Sequence, residues 1–263
     1  ARLGQDVHIG PCCQVDADVV IGDRTRVEAY AQVLRYSTLG VDNHVFSYAS
    51  VGGEPQDLKF QGEKSELRIG DHNVIREFVT LHRGTAGGGG LTSIGSHCLL
   101  MAYTHVAHDC HVGDGVILSN GAMLAGHVRV GDKVAIGGMS GVHQFVRVGT
   151  HAFIGGMSGL SQDVPPYTLA AGSRAVLHGL NLIGLRRHCP AECIPALRAA
   201  YRRIFRSDTP RREALDEVER EYGHVSQVRE LVAFIRASER GVLSPAPRNG
   251  EEADDDNGVM VGR

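Results

Sequence analysis

Five histidines are concentrated between Thr104 and Phe145, and one of them, His108, is followed directly by Asp109. A neutral imidazole can remove a proton from a hydroxyl group because its pKa lies near neutral pH. A neighbouring carboxylate can hold the ring in the required tautomer and stabilise the imidazolium that forms. His108 and Asp109 are therefore candidates for a general base and its supporting carboxylate.

These residues lie inside a six-residue apolar rhythm that continues along most of the chain. A helix repeats near 3.6 residues and an ordinary strand at 2, so neither produces a sustained period of six. Hexapeptide repeats do, because three of them form one triangular coil of about 18 residues. We therefore predict a mainly β protein, with a left-handed parallel β-helix over residues 1–165. The positions that carry the rhythm are Ile9, Val15, Ile21, Val27, Val33, Leu39, Val45, Val51, Ile69, Ile75, Leu81, Ile94, Leu100, Val106, Val112, Leu118, Leu124, Val130, Ile136, Val142, Val148, Ile154 and Leu160.

Glycine often follows the apolar residue of the rhythm, as at Gly10, Gly22 and Gly40. We expect these glycines at tight corners that need unusual backbone angles. Two polar or glycine-rich segments, residues 54–66 and 84–91, interrupt the rhythm and are predicted to be loops. Such loops are either simple insertions or binding elements, and their position alone does not decide between the two.

The rhythm ends at Gln162–Tyr167, where paired prolines are expected to stop the strand ladder. Residues 166–189 are then a connecting segment. Apolar residues recur at helical spacing over residues 190–242, which predicts three helices packed beside the β-helix. Residues 243–263 are polar and acidic, and we expect a disordered tail.

A coil of 18 residues makes positions 18 apart stacked neighbours, about 4.8 Å from one another. This stacking gathers His108, Asp109, Gly126, His127 and Gln144 in one patch, where the Gly126 amide could stabilise an oxyanion. The patch is either catalytic or an ordinary solvated face. The two columns that form it are Gly90, His108, Gly126, Gln144 and Gln162, and Leu91, Asp109, His127, Phe145 and Asp163.

A second column contains Ala102, Asn120, Gly138 and Gly156. Missing side chains over successive coils would leave a narrow slot that an extended alkyl chain could occupy. The alternative is that these glycines serve only as corners.

Composition narrows the function further. The 263 residues carry a formal net charge of −3, which gives no indication of nucleic acid as a partner. No run approaches the roughly 18 apolar residues of a membrane span, and no signal-peptide pattern is present. The six cysteines follow no metal-binding or paired pattern, so we expect free thiols in a reducing cytoplasm.

No metal or other cofactor is predicted. His105, His108 and His111 are spaced three apart, and their side chains do not obviously converge on one point as zinc requires. The flat faces of a β-helix favour association, and we expect a homotrimer with clefts between the subunits.

Seven motifs in one order resemble the acyl-[acyl-carrier-protein]:UDP-N-acetylglucosamine 3-O-acyltransferases of lipid A biosynthesis. The resemblance covers nearly the whole chain, but this chain begins at a later point of the family's sequence. Since the chain also begins mid-rhythm without methionine, we expect an earlier coil. The motifs are Pro55–Lys59, Thr80–Thr85, His105–Cys110, Ala125–Val128, Gly141–Phe145, Gln162–Tyr167 and Gly179–Arg187.

The resemblance implies direct acyl transfer from acyl carrier protein to the 3-hydroxyl of UDP-N-acetylglucosamine. It implies His108 as the base, Asp109 as its carboxylate and Gly126 as the oxyanion donor. Gly156, and with it Gly138, is expected to gauge acyl-chain length. Arginines on the predicted helices are candidates to contact the acidic carrier protein. The residues expected at the sugar nucleotide are Asp57, Lys59, His82, His105, His127, His143, Gln144, Asn181 and Arg187, the last from a neighbouring subunit.

Three positions depart from the family pattern: Ile183, His188 and Arg174. They leave uridine recognition and chain length open, but not the reaction. Alternatives are an acyltransferase of the same fold acting on a 3-amino sugar nucleotide or another acceptor, a non-catalytic β-helix and a hexapeptide zinc lyase.

Overall fold

The computed structural model describes residues 1–247, and its strands form three parallel sheets that are the faces of a triangular prism. Sheet A contains Arg2–Leu3, Val20–Ile21, Ser37–Leu39, Glu66–Ile69, Leu91–Ile94, His111–Val112, Arg129–Val130 and Arg147–Val148. Sheet B contains His8–Ile9, Arg26–Val27, His44–Val45, Val74–Ile75, Leu99–Leu100, Ile117–Leu118, Ala135–Ile136, Phe153–Ile154, Thr168–Ala171 and Val176–Leu180. Sheet C contains Gln14–Val15, Gln32–Val33, Ser50–Gly53, Thr80–His82, His105–Val106, Met123–Leu124, Gly141–Val142 and Gly159–Leu160. The chain visits A, B and C in turn, which is the predicted left-handed parallel β-helix.

The six-residue rhythm forms the core. Leu100, Leu118 and Ile136 are fully buried, and each lies over the residue of the same sheet in the next coil. Ile9 and Val15 are only half-buried because they lie in the first, open coil. The core is thus a stack of aliphatic layers, and its stability comes from burying one such residue per strand.

The expectation for the corner glycines was wrong in one respect. The left-handed residue stands three places after the inward residue and is mostly not glycine, as at Asp18 (φ 60°) and Tyr30 (φ 62°). Glycine is needed directly after the inward residue for a different reason. A Cβ on Gly22 would lie 2.5 Å from the carbonyl oxygen of Gly40 in the next coil, so a side chain there would separate the coils.

A ladder of buried polar side chains keeps the coils in register across both interruptions. Asn43 Oδ1 accepts hydrogen bonds from the backbone and side-chain nitrogens of Asn73, each at 3.0 Å, across the first loop. Asn73 Oδ1 accepts from the backbone nitrogen of Cys98 at 2.8 Å across the second loop. The inserted residues therefore leave the stacking of the next coil unchanged.

The prolines at Gln162–Tyr167 do not end the ladder. Leu169 pairs in parallel with Phe153, and sheet B then turns back through an antiparallel strand. The prolines are tolerated because they follow Val164, whose N–H and C=O bond the previous coil and complete the pairing there. The spacing shortens from 18 residues to 16 at this coil. Asp163 consequently pairs with Arg147 and does not continue the column of Phe145.

Four helices follow, α1 Leu182–His188, α2 Cys193–Arg206, α3 Arg211–Tyr222 and α4 Ser226–Arg236. The three predicted apolar faces lie in α2, α3 and α4. Helix α1 was not predicted because its seven residues contribute only one buried side chain, Leu185. Arg147 fastens α4 to the prism by donating to the carbonyl oxygens of Phe234 and Ala237.

The prediction of a disordered tail was wrong for residues 243–247. Leu243 is 3% exposed, and residues 243–247 hydrogen-bond to Asp163 and Leu177 at the free edge of the prism. The open strand edge provides backbone hydrogen-bond partners for residues 243–247, and the amino-acid composition of this segment gave no sign of them. The remainder of the predicted tail, residues 248–263, lies outside the described residues. Within residues 1–247, none of the helices has the length and apolar character needed to cross a membrane.

Candidate active site

The histidine-rich patch lies at the corner of the prism between sheets C and A. Asp109 (φ 58°), His127 (φ 64°) and Phe145 (φ 64°) occupy the left-handed corner position of three successive coils. Their side chains therefore stack along the prism, and the rings of His127 and Phe145 are parallel with centroids 4.4 Å apart. The His127 backbone nitrogen donates to the carbonyl oxygen of His108 at 3.0 Å. The fold thus brings together the predicted column.

His108 and Asp109 form a hydrogen-bonded pair. His108 Nδ1 lies 2.8 Å from Asp109 Oδ2, with the carboxylate completely buried and the imidazole 13% exposed. Because a carboxylate only accepts, Nδ1 carries the proton and Nε2 of the neutral ring is left with a lone pair. This is the arrangement that a general base requires.

Gly126 lies directly against the His108 ring. A Cβ on Gly126 would stand 2.6 Å from Cε1 and 2.8 Å from Nε2 of His108, so a side chain here would displace the His108 ring. Among residues 1–247, the Gly126 amide has no hydrogen-bond acceptor. An N–H group beside the basic nitrogen is available to a developing oxyanion.

The buried carboxylate is held by the second interrupting segment, which contains a short 3-10 turn, Ala86–Gly88. The backbone nitrogen of Thr85 donates to Asp109 Oδ1 at 2.8 Å, and its hydroxyl donates to Oδ2 at 2.6 Å. The Asp109 backbone nitrogen donates to the hydroxyl of Thr92 at 2.8 Å. Both carboxylate oxygens therefore have donors, as a buried charge requires.

Two further predicted histidines lie beside this pair. The rings of His82 and His105 meet edge to face at 4.8 Å, and Thr80 Oγ1 lies 2.7 Å from His105 Nδ1. Burial, with help from His105 and His108, lowers the pKa of His82 to about 4. Burial, followed by the charge of His108, also lowers the pKa of His105. Among the described residues, His82 Nδ1 has no partner, although the atom is buried.

Ligand atoms of His108, Asp109 and His127 all lie within 4.8 Å of one another. This is not the group considered from the sequence, since His111 lies on sheet A and contacts Ser93 at 2.8 Å. A metal ion at these atoms would have to open the hydrogen bond between His108 and Asp109. The two Asp109 oxygens also already accept from Thr85, so the contacts fit a hydrogen-bonded pair better than a metal centre.

The first loop approaches the same corner. Asp57 accepts from the Lys59 backbone nitrogen at 2.9 Å, and the negative charge of Asp57 acts on His127. Burial is the main influence on His127 and lowers its pKa. Between the two loops is a cleft of about 320 Å³, lined by residues that include Asp57, Lys59 and Thr85.

Arg83 fastens the first loop to the prism. It is 6% exposed, lies between the rings of Tyr36 and Phe60, and donates to Glu54 at 2.9 Å. These contacts hold the loop against the body of the prism, close to the cleft.

His143 and Gln144 are exposed, one coil further along the same corner. His143 Nδ1 lies 3.2 Å from the carbonyl oxygen of Gln144 and 3.3 Å from an Arg240 nitrogen. Arg240 was not predicted, because nothing in one sequence links two residues so far apart. Thr85 and Phe145 each ended one of the seven motifs, and Phe145 also belonged to a column, but neither was predicted as a site residue.

The other predicted residues lie at different corners. Asn181 caps α1 and donates to the carbonyl oxygen of His151, at the corner between sheets A and B. Arg187 lies on α1, whose last residue, His188, stacks on His151 at 5.7 Å. A single chain therefore does not bring Asn181 or Arg187 to the corner of His108.

Gly138 and Gly156 lie at the third corner, between sheets B and C. The Met157 nitrogen donates to Gly138 oxygen, and a Cβ on Gly156 would approach that oxygen to 3.4 Å. As predicted, Gly138 and Gly156 stack on successive coils, with the backbone of one coil directly over that of the other. Sheet C separates it from His108, and two of the outward residues of sheet C are Gly141 and Gly159.

The three departures from the family pattern are on the surface or near α1. Ile183 is 40% exposed, and Arg174 is exposed in the turn of the last hairpin. His188 is the partner of His151 described above.

Comparison with known proteins finds relatives that are similar over most of the chain. A family model described as "Udp N-acetylglucosamine O-acyltransferase; Domain 2" matches residues 163–243, and a bacterial transferase hexapeptide model matches residues 91–126. The acyl-[acyl-carrier-protein]--UDP-N-acetylglucosamine O-acyltransferase of Thermodesulfovibrio yellowstonii is 46% identical over 92% of this chain and 94% of that protein.

Two solved structures are also similar. LpxA from Acinetobacter baumannii has a TM-score of 0.89 at 42% identity, covering 92% of this chain and 95% of that one. LpxA from Bacteroides fragilis, a UDP-N-acetylglucosamine acyltransferase, has a TM-score of 0.90 at 42% identity with the same coverage.

This chain belongs to the UDP-N-acetylglucosamine O-acyltransferase family. Membership confirms the resemblance drawn from the seven motifs. In this acyltransferase the corner between sheets C and A contains a base-like histidine, a buried carboxylate and an unpaired amide, which are the groups that acyl transfer to a hydroxyl uses.

Acidification should destabilise the acyltransferase through His82. The folded pKa is about 4, whereas an unfolded histidine titrates at about 6.5. Between these values the unfolded chain binds a proton that the folded chain does not, so stability falls as the pH drops from about 6.5 towards 4. In urea denaturation over this range, the free energy of unfolding of His82→Phe should fall less than that of the wild type. Equal losses would show that His82 is not buried in its neutral form.

Proposed function

We propose that this chain transfers an acyl group from acyl carrier protein to the 3-hydroxyl of UDP-N-acetylglucosamine, the first step of lipid A biosynthesis. The observation that carries the proposal is the buried pair of His108 and Asp109 with the Gly126 amide beside it, in a chain of this family. Its place of action is the cytoplasm, where thiols stay reduced, and all six cysteines are free.

In the proposed reaction, His108 Nε2 removes the proton of the sugar hydroxyl as that oxygen attacks the thioester carbonyl. The Gly126 amide donates to the resulting oxyanion. Collapse of the tetrahedral intermediate breaks the carbon–sulfur bond, and the imidazolium returns its proton to the leaving thiolate. Asp109 stabilises the imidazolium between these two transfers. No acyl-enzyme is formed and no cofactor takes part.

The sugar nucleotide is proposed to lie between the first loop and the corner of His108. Asp57 and Lys59 would contact it from the loop, and His82 and His105 from sheet C. The buried, unpaired Nδ1 of His82 supports this, because such an atom gains free energy from a bound partner. The remaining contacts would come from His127, His143 and Gln144.

His108→Ala should lower turnover on UDP-N-acetylglucosamine by about 10²–10⁴-fold, the usual contribution of a general base. His111→Ala is the matched control, since His111 lies on sheet A, where its ring contacts Ser93 and makes no hydrogen bond to His108 or Asp109. The assay uses purified enzyme and carrier-bound 3-hydroxyacyl chains, with circular dichroism to show that both variants are folded.

Undiminished turnover of His108→Ala would refute the proposed mechanism. The same assay with the 3-amino sugar nucleotide separates the two acceptors, and a higher rate on the amine would overturn the choice of hydroxyl. Stoichiometric zinc by elemental analysis, with loss of activity on its removal, would favour metal chemistry.

We further propose a homotrimer, in which Asn181 and Arg187 of one subunit complete the site of the next. The outward side of sheet B is apolar from Val74 onwards, with Leu99, Ile117 and Phe153 along it. The neighbouring corner carries an exposed stack of aromatic rings, Tyr30, Tyr48, Phe78 and Tyr103. Exposed apolar surface of this extent is typical of an interface.

Sedimentation should therefore give a mass three times that of the 28.2 kDa chain. Ile117→Lys places a charge on the apolar face, so we expect it to dissociate the assembly and abolish turnover at low enzyme concentration. A monomer with wild-type turnover would contradict the shared site.

The acyl chain is proposed to run over the glycines of sheet C towards the slot at Gly138 and Gly156. Gly156→Met should fill the slot and shift the preferred carrier-bound chain to one shorter by several carbons, with Gly156→Ser giving a smaller shift. The measurement is relative kcat/KM over a series of chain lengths. An unchanged preference in both variants would exclude this path.

A further inference from the structure

Thr85 makes contacts that have no role in the proposed acyl transfer as described so far. It donates to both oxygens of Asp109, through its amide to Oδ1 and through its hydroxyl to Oδ2. The hydroxyl also accepts from the Gly88 amide at 3.1 Å, which directs its own proton towards the carboxylate. Two donors from one residue, one on each oxygen, define the plane of the carboxylate.

The orientation of that plane matters because two histidines are within reach of the same oxygen. His108 Nδ1 is 2.8 Å from Asp109 Oδ2, and His127 Nδ1 is 3.8 Å from it. The terminal torsion of an aspartate is soft, so the carboxylate could turn from one ring to the other. A fixed donor on each oxygen removes that freedom.

We propose that Thr85 is a positioning residue, which directs the Asp109 carboxylate to His108 instead of His127. The inference rests on the proposed function, in which His108 is the base. Thr85 acts through Asp109, because the residue is 5% exposed and its amide and hydroxyl both donate to that carboxylate. The second interrupting segment is thereby a clamp for the buried carboxylate.

The glycine run is what lets the segment close over Asp109. A Cβ on Gly88 would lie 2.0–2.4 Å from the carboxylate atoms, so the loop backbone packs directly on the charge. Gly89 (φ 97°) and Gly90 (φ 77°) then turn the chain away with left-handed angles. The glycine run therefore allows both the contact between Thr85 and Asp109 and the turn that follows it.

The clamp is also joined to the first loop. The Ala86 amide donates to the Glu63 carboxylate at 3.1 Å, and backbone donors of this kind lower the pKa of Glu63. The strand that follows the first loop pairs with both ends of the clamp, through the Gly84 amide to Glu66 oxygen and the Glu66 amide to Gly90 oxygen. The loop proposed to hold the sugar nucleotide and the residue that orients the carboxylate thus form one hydrogen-bonded unit.

The test replaces the hydroxyl and keeps the shape. Thr85→Val should lower kcat by about 10- to 100-fold, the effect expected for a hydrogen bond to a buried charge. KM for both substrates should change little, because valine keeps the size of the side chain and the lost hydroxyl is directed to Asp109. Thr85→Ser retains the hydroxyl and should restore most of kcat. Thr104→Val is the matched control, since Thr104 is equally buried and its hydroxyl has no partner among residues 1–247.

A double-mutant cycle separates positioning from a general structural role. If Thr85 acts only through Asp109, Thr85→Val should lower kcat no further in an Asp109→Ala background. Additive losses, failure of Thr85→Ser to restore kcat, or an unchanged kcat in Thr85→Val would overturn the proposal. His108→Ala in the same series identifies the separate case in which the proposed base itself is wrong, because that variant would then keep its turnover.

Discussion

Each coil of the prism must return the chain to the same corner, directly over the coil before it, and the other features of the molecule depend on that return. Parallel pairing at a spacing of 18 residues aligns corner with corner, as for His111 and Arg129. The constraint is steric as well as hydrogen-bonded, because Gly22 approaches Gly40 too closely for any side chain. Asn43 and Asn73 help to keep the register across the two interruptions, where the strands also continue to pair.

Because each coil stacks directly over the one before it, the functional groups of one chain are distributed over three corners of the prism. His108 and Asp109 lie between sheets C and A, Gly138 and Gly156 between B and C, and the partner of Asn181 between A and B. A straight prism cannot fold one corner onto another. A site that needs the Asn181 corner beside His108 must therefore combine corners from different chains, which is why we link the proposed reaction to the proposed trimer.

Burying a carboxylate is costly unless each of its lone pairs has a partner, and the region around His108 is arranged to supply them. Asp109 is fully enclosed, yet it accepts from Thr85 and faces His108. The neighbouring rings of His82 and His105 are kept neutral by burial. The hydrogen bond to Asp109 thus goes to the ring closest to it, His108.

The sequence by itself determined the β-helix, its period and the pairing of His108 with Asp109 beside Gly126, because a fixed repeat converts spacing into position. Where the repeat is regular, as from His108 to Phe145, columns read from the sequence agree with the structure. Where it changes, the same reasoning failed: the last coil shortens to 16 residues and removes Asp163 from its column. Only the tertiary structure decided what the glycine-rich segment does, that Arg240 reaches His143 and that residues 243–247 join a strand edge. These contacts join residues that no period relates, and they depend on which surfaces and edges the completed prism leaves open.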